Sequence, residues 1–148
     1  MTQKDKELLL KDLCARLPYS VIVHRTYIWA GELKEDDILL EIDDLDVCLN
    51  NSVEKLNSQG CTLKPYLRPI SSMTEEEKEE LSHLLPKYWS VEIDKLNNFY
   101  FDMSPSILME IDMFLSIIDW LNAHHFDYRG LIEKGLALEA LEGMYETL

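Results

Sequence analysis

The strongest chemical signal in the chain is the segment His124-His125-Phe126-Asp127-Tyr128-Arg129. A histidine titrates near neutral pH, a carboxylate can orient it, and an arginine can hold an anionic substrate. His124, His125, Asp127 and Arg129 are therefore the candidate catalytic residues of a small hydrolase or transferase. His124 and Asp127 stand at i and i+3 and could share a helix face. No serine or cysteine nucleophile motif accompanies them. Read as structure, the same residues end a helix, because histidines favour the negative end of the dipole and Asp127 to Gly130 make a turn. As a metal site, the pair needs a third ligand from His24, His83, Asp43 or Glu41. Adjacent helical histidines point ~100° apart, so no metal is expected.

A second pattern is the acidic run Asp36, Asp37, Glu41, Asp43, Asp44 and Asp46. Its calcium reading fails at Val47-Cys48-Leu49, which break the spaced oxygen ligands, glycine and distal glutamate of an EF-hand loop. A solvated strand end accounts for it better. With five glycines in all and no glycine-rich loop, a nucleotide site of standard design is missing, and no cofactor is expected. Arg25, Tyr27 and Trp29 alternate along one strand face. An arginine beside exposed aromatics is a typical contact patch, and with Asp36 and Asp37 they form the candidate interaction surface. The alternative makes this the core face and turns Ile22, Thr26 and Ile28 outward. Both faces are apolar, so periodicity leaves the choice open.

The elements that must position these residues follow from local rules. Thr2 caps a helix over Gln3 to Leu17, with Leu9, Leu10, Leu13, Cys14 and Leu17 on its apolar side and Lys4, Lys6, Lys11 and Asp12 in water; Pro18 stops it. Tyr19 to Ala30 reads as a strand, Gly31 punctuates it, and Ile38 to Ile42 returns as an antiparallel partner. Asp43 to Cys61 is rich in turn residues, with a loop or short helix at Val53 to Leu56. Thr62 to Leu67 adds a short strand with Pro65 at an edge position. Thr74 and Glu77 form a capping box that starts a helix running to Leu85. A strand or loop follows around Tyr88 to Phe101. Ser104-Pro105 then opens the longest helix, to about His124. That helix is apolar on more than one side, which makes it the core's central element or half of an interface between two copies. The tail from Arg129 packs back as a short helix or turn.

Composition narrows the classes. The 148 residues hold 28 acidic and 14 basic side chains, a formal net charge of −14. That length suits one domain, 1–148. The charge disfavours direct binding of nucleic acid or of anionic lipid, both of which need clustered lysine and arginine. The charge is unevenly placed: Met1 to Glu35 is near neutral, and the acid excess lies beyond it. No secretory signal is evident, and the most apolar stretch, Ile107 to Leu121, is interrupted by Glu110, Asp112, Ser116 and Asp119 and falls short of the ~20 residues that span a bilayer. Cys14, Cys48 and Cys61 lack metal-binding spacing. Cys48 and Cys61 could pair, but three reduced, mostly buried thiols are the simpler reading, and with them a cytoplasmic setting.

Four pieces together carry a resemblance: Lys11 to Tyr19, Lys64-Pro65-Tyr66-Leu67-Arg68-Pro69, Ser71 to Glu77, and Asp119-Trp120-Leu121-Asn122 running into His124 to Ile132. They are similar to an uncharacterised family of small proteins found in gut anaerobic bacteria, their prophages and tailed phages. The resemblance covers most of the chain in order and brings no activity or cofactor with it. It implies a phage-associated or mobile-element accessory protein. One departure is visible: the family's pattern has a glycine after the Pro-Tyr pair, where this chain has Ser20.

The expectation is thus an α+β fold: a small antiparallel sheet of two to four strands packed against three to four helices, with a central apolar helix near 105–123. The expected function is a non-catalytic interaction module with a protein partner, or a homodimer. One alternative is an acidic mimic that occupies the basic groove of a nucleic-acid-binding protein. The other is the hydrolase or transferase built on His124 and Asp127.

Overall fold

The computed structural model describes residues 1–49, 61–86, 89–93, 99–103 and 111–146. Its elements are α1 (Gln3–Arg16), β1 (Ile22–Trp29), β2 (Glu32–Leu39), α2 (Ile42–Leu49), β3 (Thr62–Leu67), α3 (Glu75–Ser82), β4 (Trp89–Ile93), β5 (Phe99–Met103), α4 (Ile111–Ala123) and β6 (Leu138–Glu139). This is an α+β chain with a four-stranded sheet in the order β2-β1-β3-β6 and a separate β4–β5 pair. The sheet is mixed, because β6 joins β3 in parallel while the other pairings are antiparallel. The chain divides into two compact units, Met1–Leu67 with Arg129–Leu148, and Arg68–Tyr128. Among the described residues, no helix is long and apolar enough to cross a membrane.

The first unit is organised around α1. Thr2 and Asp5 form its capping box: Thr2 Oγ1 accepts from the Asp5 amide at 3.2 Å and Asp5 Oδ2 accepts from the Thr2 amide at 2.9 Å. Leu9 and Leu13 bury against Val21, Val23, Leu63, Leu67, Leu131 and Leu136. Asp12 departs from the sequence reading. It is fully buried rather than wet, and its carboxylate accepts two hydrogen bonds from the equally buried Arg16, at 2.7 and 3.2 Å. After α1, Ser20 takes the left-handed conformation at φ 56° and ψ 45°, so the geometry that a glycine accepts freely is present at this turn without one.

The β1–β2 hairpin turns on Ala30 and Gly31, both at positive φ (52° and 82°), as the two-residue loop of a right-twisted hairpin demands. Alanine is a poor left-handed residue and asparagine a good one. Ala30→Asn is therefore expected to raise stability by ~0.5–1 kcal/mol, read as a higher urea midpoint at unchanged slope. β2 starts at Glu32, six residues before the apolar run that signals it, and Ile42 opens α2 instead of ending the strand. The reason is position: β2 is an edge strand, so its Lys34 to Asp37 stretch stays hydrated and shows no apolar alternation. Pro65 sits in an inner strand, between β1 and β6. Its missing N–H is harmless because it lies opposite Val23, at a register alternate to the ones that bond β1, and β6 pairs only from Tyr66 onward. The expected short helix at Val53 to Leu56 lies outside the described residues.

Near the C-terminus Tyr145 ties the sheet together, donating to the Tyr66 carbonyl at 2.6 Å and accepting from the Ile22 amide at 3.3 Å. Burial pushes its phenol up to about 12. The folded state thus holds the neutral form, so the contribution is intact below the ordinary tyrosine value of ~10 and is lost as pH rises from there toward about 12. Tyr145→Phe is expected to cost ~1 kcal/mol at neutral pH, with the deficit against the parent shrinking across that alkaline window in pH-dependent urea unfolding.

In the second unit, Thr74 and Glu77 make the expected capping box at the start of α3. α4 is the central helix of this core along its C-terminal half, where Ile117, Trp120 and Leu121 pack with Ile70, Met73, Leu81, Leu85 and Phe126. Ile111, Phe114 and Leu115 in its first turns are exposed. The Ser104-Pro105 start expected for it lies outside the described residues.

The cysteines correct the reading of three reduced, mostly buried thiols. Cys61 is disulfide-bonded, and Cys14 is free and exposed; the side chain of Cys48 lies outside those described. A maleimide added to the native, unreduced protein is expected to label Cys14 and spare Cys61, with Cys61 labelled only after reductant, by peptide mapping.

Candidate functional site

The histidine segment is built as a helix ending. Trp120, Leu121 and Asn122 are the last core-facing turn of α4, and their carbonyls need donors that the helix no longer supplies. His124 N–H donates to the Trp120 carbonyl, His125 N–H to the Asn122 carbonyl at 3.1 Å, and Phe126 N–H to the Leu121 carbonyl at 3.0 Å. His125 holds φ at +60°. That pair of bonds around a left-handed residue is a Schellman ending, and the Trp120–Phe126 ring stack, 5.8 Å between centroids, is its hydrophobic contact.

The side chains follow from this backbone. The His124 ring lies flat on Trp120 at 3.9 Å, its Nδ1 2.9 Å from the Trp120 carbonyl and its Nε2 3.8 Å from Glu80. His125 and Asp127 are buried. Their backbones bracket Arg68, whose amide donates to the His125 carbonyl and whose carbonyl accepts from the Asp127 amide, both at 2.8 Å. The Arg68 guanidinium stands 4.3 Å over the Phe126 ring and grips Glu77 with bonds of 2.6 and 2.8 Å. Burial alone would push the Glu77 carboxyl up, but these bonds and the Thr74 amide hold it below the usual range. Arg129 belongs to the other compact unit, its Nε 3.3 Å from the buried Asp12. The four candidate catalytic residues are thus divided between a helix terminus and a buried ion pair.

The hairpin residues converge. Arg25 and Tyr27 share the core-side face of β1, with the guanidinium 4.9 Å from the Tyr27 ring centroid. Opposite Arg25 in the register stands Asp36, which accepts a two-pronged bond at 3.0 and 2.8 Å, while Asp44 of α2 accepts a third at 3.2 Å. The hydrogen bonds with Asp36 raise the Arg25 pKa, and those with Arg25 lower that of Asp36. On the opposite face, His24 Nδ1 lies 2.8 Å from Asp37, which also accepts from the Tyr66 hydroxyl at 3.1 Å. Burial, followed by Asp37, raises the Tyr66 pKa.

The choice left open by periodicity is settled by position along the strand. The Val23 end of the Arg25 face is core, with Val23 fully buried, and the far end is solvent, with Trp29 69% exposed. Ile28 and Leu33, cross-strand partners on the opposite face, are 40% and 68% exposed. Sequence reading missed Leu33 because it lies among charges; it considered His24 only as a metal ligand, and missed its pairing with Asp37 and Tyr66 because that depends on strand register. Asp43 and Asp44 belong to the first turn of α2, where Asp44 caps the Glu41 amide at 3.0 Å. No group of three or more metal-ligating side chains assembles among the described residues. No family model, curated protein or solved structure matches the chain.

Proposed function

We propose that this chain is a non-catalytic protein-binding module that docks its partner through the β1–β2 hairpin, an accessory role of the phage or mobile-element kind implied by the family resemblance. The observation that carries this reading is the solvent-facing tip: Ile28, Trp29 and Leu33 stand exposed together at the end of a hairpin whose base is rooted in the core. Large apolar side chains flanking one two-residue turn, Trp29 on one face and Ile28 with Leu33 on the other, are an unfavourable surface for an isolated protein and a favourable anchor for a contact. Arg25, Tyr27, Asp36 and Asp44 brace the hairpin from behind, which preorganises it. The acidic-mimic alternative draws no comparable support, because Asp36, Asp44 and Glu77 hold Arg25 and Arg68 of the chain itself.

The test compares capture from host lysate by the parent protein and by Trp29→Ala/Leu33→Ser, with a surface variant remote from the hairpin as control. Specific loss of one captured protein with the tip variant, at unchanged circular dichroism, supports the reading. Equal capture by parent and tip variant sinks it. A cytoplasmic setting belongs to the same reading, and there the Cys61 disulfide would face a reducing pool; the maleimide experiment performed in intact cells reports whether it survives.

A further inference from the structure

The outer strand of the hairpin carries a second docking feature besides its tip. β2 is the edge of the four-stranded sheet. Trp29 and Glu32 flank the two-residue turn as a hydrogen-bonded pair, so Glu32, Lys34, Asp36 and Ile38 turn their backbone groups toward β1. The residues between them, Leu33, Glu35, Asp37 and Leu39, direct N–H and C=O outward. Among the described residues, no strand pairs with that side and no backbone hydrogen bond reaches Leu33, Glu35 or Asp37 from it. The same four residues place their side chains on one face of the sheet, in the spatial order apolar, acidic, acidic, apolar.

We propose that the β2 edge accepts an extended, basic segment of a partner protein as an additional antiparallel strand. Main-chain bonds to Leu33, Glu35, Asp37 and Leu39 would supply the pairing, and cross-strand neighbours would supply the selectivity. The segment that fits has apolar side chains opposite Leu39 and Leu33 and lysine or arginine opposite Asp37 and Glu35, at alternate positions. Charge selects this occupant. The strand carries Glu32, Glu35, Asp36 and Asp37 against Lys34; on the face of Glu35 and Asp37, His24 stands 3.7 Å from Glu35 and 2.8 Å from Asp37, and the Tyr66 hydroxyl donates to Asp37 at 3.1 Å. A second copy of β2 would set carboxylates against carboxylates, the arrangement by which natural edges repel one another.

This proposal rests on the hairpin being the docking element, and its test separates the edge from the tip. The probe is a fluorescent peptide with valine at both ends, two lysines at alternate positions between them and threonine elsewhere. Its controls are the glutamate counterpart and a scrambled order. Anisotropy titrations are expected to show binding roughly tenfold tighter than either control, weakening as salt is added. Glu35→Pro removes an outward N–H without touching the ladder to β1 and is expected to abolish binding. Glu35→Lys, which keeps the strand intact, is expected to shift preference toward the glutamate peptide, while Trp29→Ala, a tip change on β1 outside the edge, retains the lysine preference. On binding, the Glu35 and Asp37 amides gain protection from hydrogen exchange. No measurable binding, equal binding of the scrambled peptide, or full binding by Glu35→Pro overturns the edge proposal and leaves the tip reading to its own capture experiment. A concentration-dependent dimer abolished by Glu35→Pro also overturns it, by giving the edge to a second copy.

Discussion

Asp12→Ala is expected to lower the unfolding free energy by ~3–5 kcal/mol, a large part of the ~5–15 kcal/mol typical of a natural protein. Asp12 and Arg16 are one helical turn apart on α1, and both side chains are fully buried. Removing the carboxylate leaves the Arg16 guanidinium in the interior without its bidentate acceptor, and Arg129 loses the carboxylate 3.3 Å from its Nε. Coulomb attraction within a buried pair roughly offsets the desolvation of its members, so deleting one member exposes the uncompensated cost of the other. The double variant Asp12→Leu/Arg16→Met is accordingly expected to recover most of the loss. Urea unfolding of the parent, both single variants and the double variant checks this, with a coupling energy well above the ~1 kcal/mol of an exposed pair. A small single-variant effect would mean that water reaches the pair.

Phe126→Ala is the second large effect, ~3–5 kcal/mol, the range for removing a fully buried aromatic ring. Phe126 is where the second unit is joined together. Its ring stacks on Trp120 of α4 and lies under Arg68, its amide closes the Schellman ending, and Arg68 carries the connection on to Glu77 of α3. Loss of the ring removes the aromatic contact and leaves a cavity beside the helix terminus. The measurement is again the urea midpoint, accompanied by a change in tryptophan emission as Trp120 loses one of its two stacked neighbours. Phe126→Leu, which refills most of the space, is expected to recover more than half of the deficit. The histidines beside it are predicted to matter through the same terminus, because His124 bonds the Trp120 carbonyl and His125 holds the left-handed residue of the cap.

Much of the architecture was legible from residues close together in the chain. The Thr2 cap and the Thr74–Glu77 capping box depend on positions close together in the chain, and each lies where that spacing places it; Asp5 completes a second box at Thr2 that sequence reading missed. The antiparallel pairing of β1 with a following strand, the β3 strand and the apolar character of α4 were equally readable, while the tight Ala30-Gly31 turn was not, because Glu32 to Asp37 show no strand pattern. The candidate site was legible in parts: the helix-ending character of His124 to Gly130 and the face shared by Arg25, Tyr27 and Trp29 both follow from local spacing. Local pattern failed where burial was decided by distant partners. Asp12 looks like a polar surface position until Arg16 and Arg129 close on it, and β2 looks like a loop because an edge strand needs no apolar alternation.

What the sequence determined by itself was therefore α1, α3, β1 and β3 with the Thr2 and Thr74 caps, and the apolar character of α4, together with a charge that disfavours anionic ligands. Those properties follow from side-chain chemistry within one or two helical turns. Only the tertiary structure decided that the candidate catalytic residues divide between a Schellman ending and a buried ion pair, that Trp29 and Leu33 share an exposed tip, and that the outward amides of β2 have no strand beside them among the described residues. Each of these depends on strand register or on a contact between residues far apart in the chain, and neither is encoded in local periodicity.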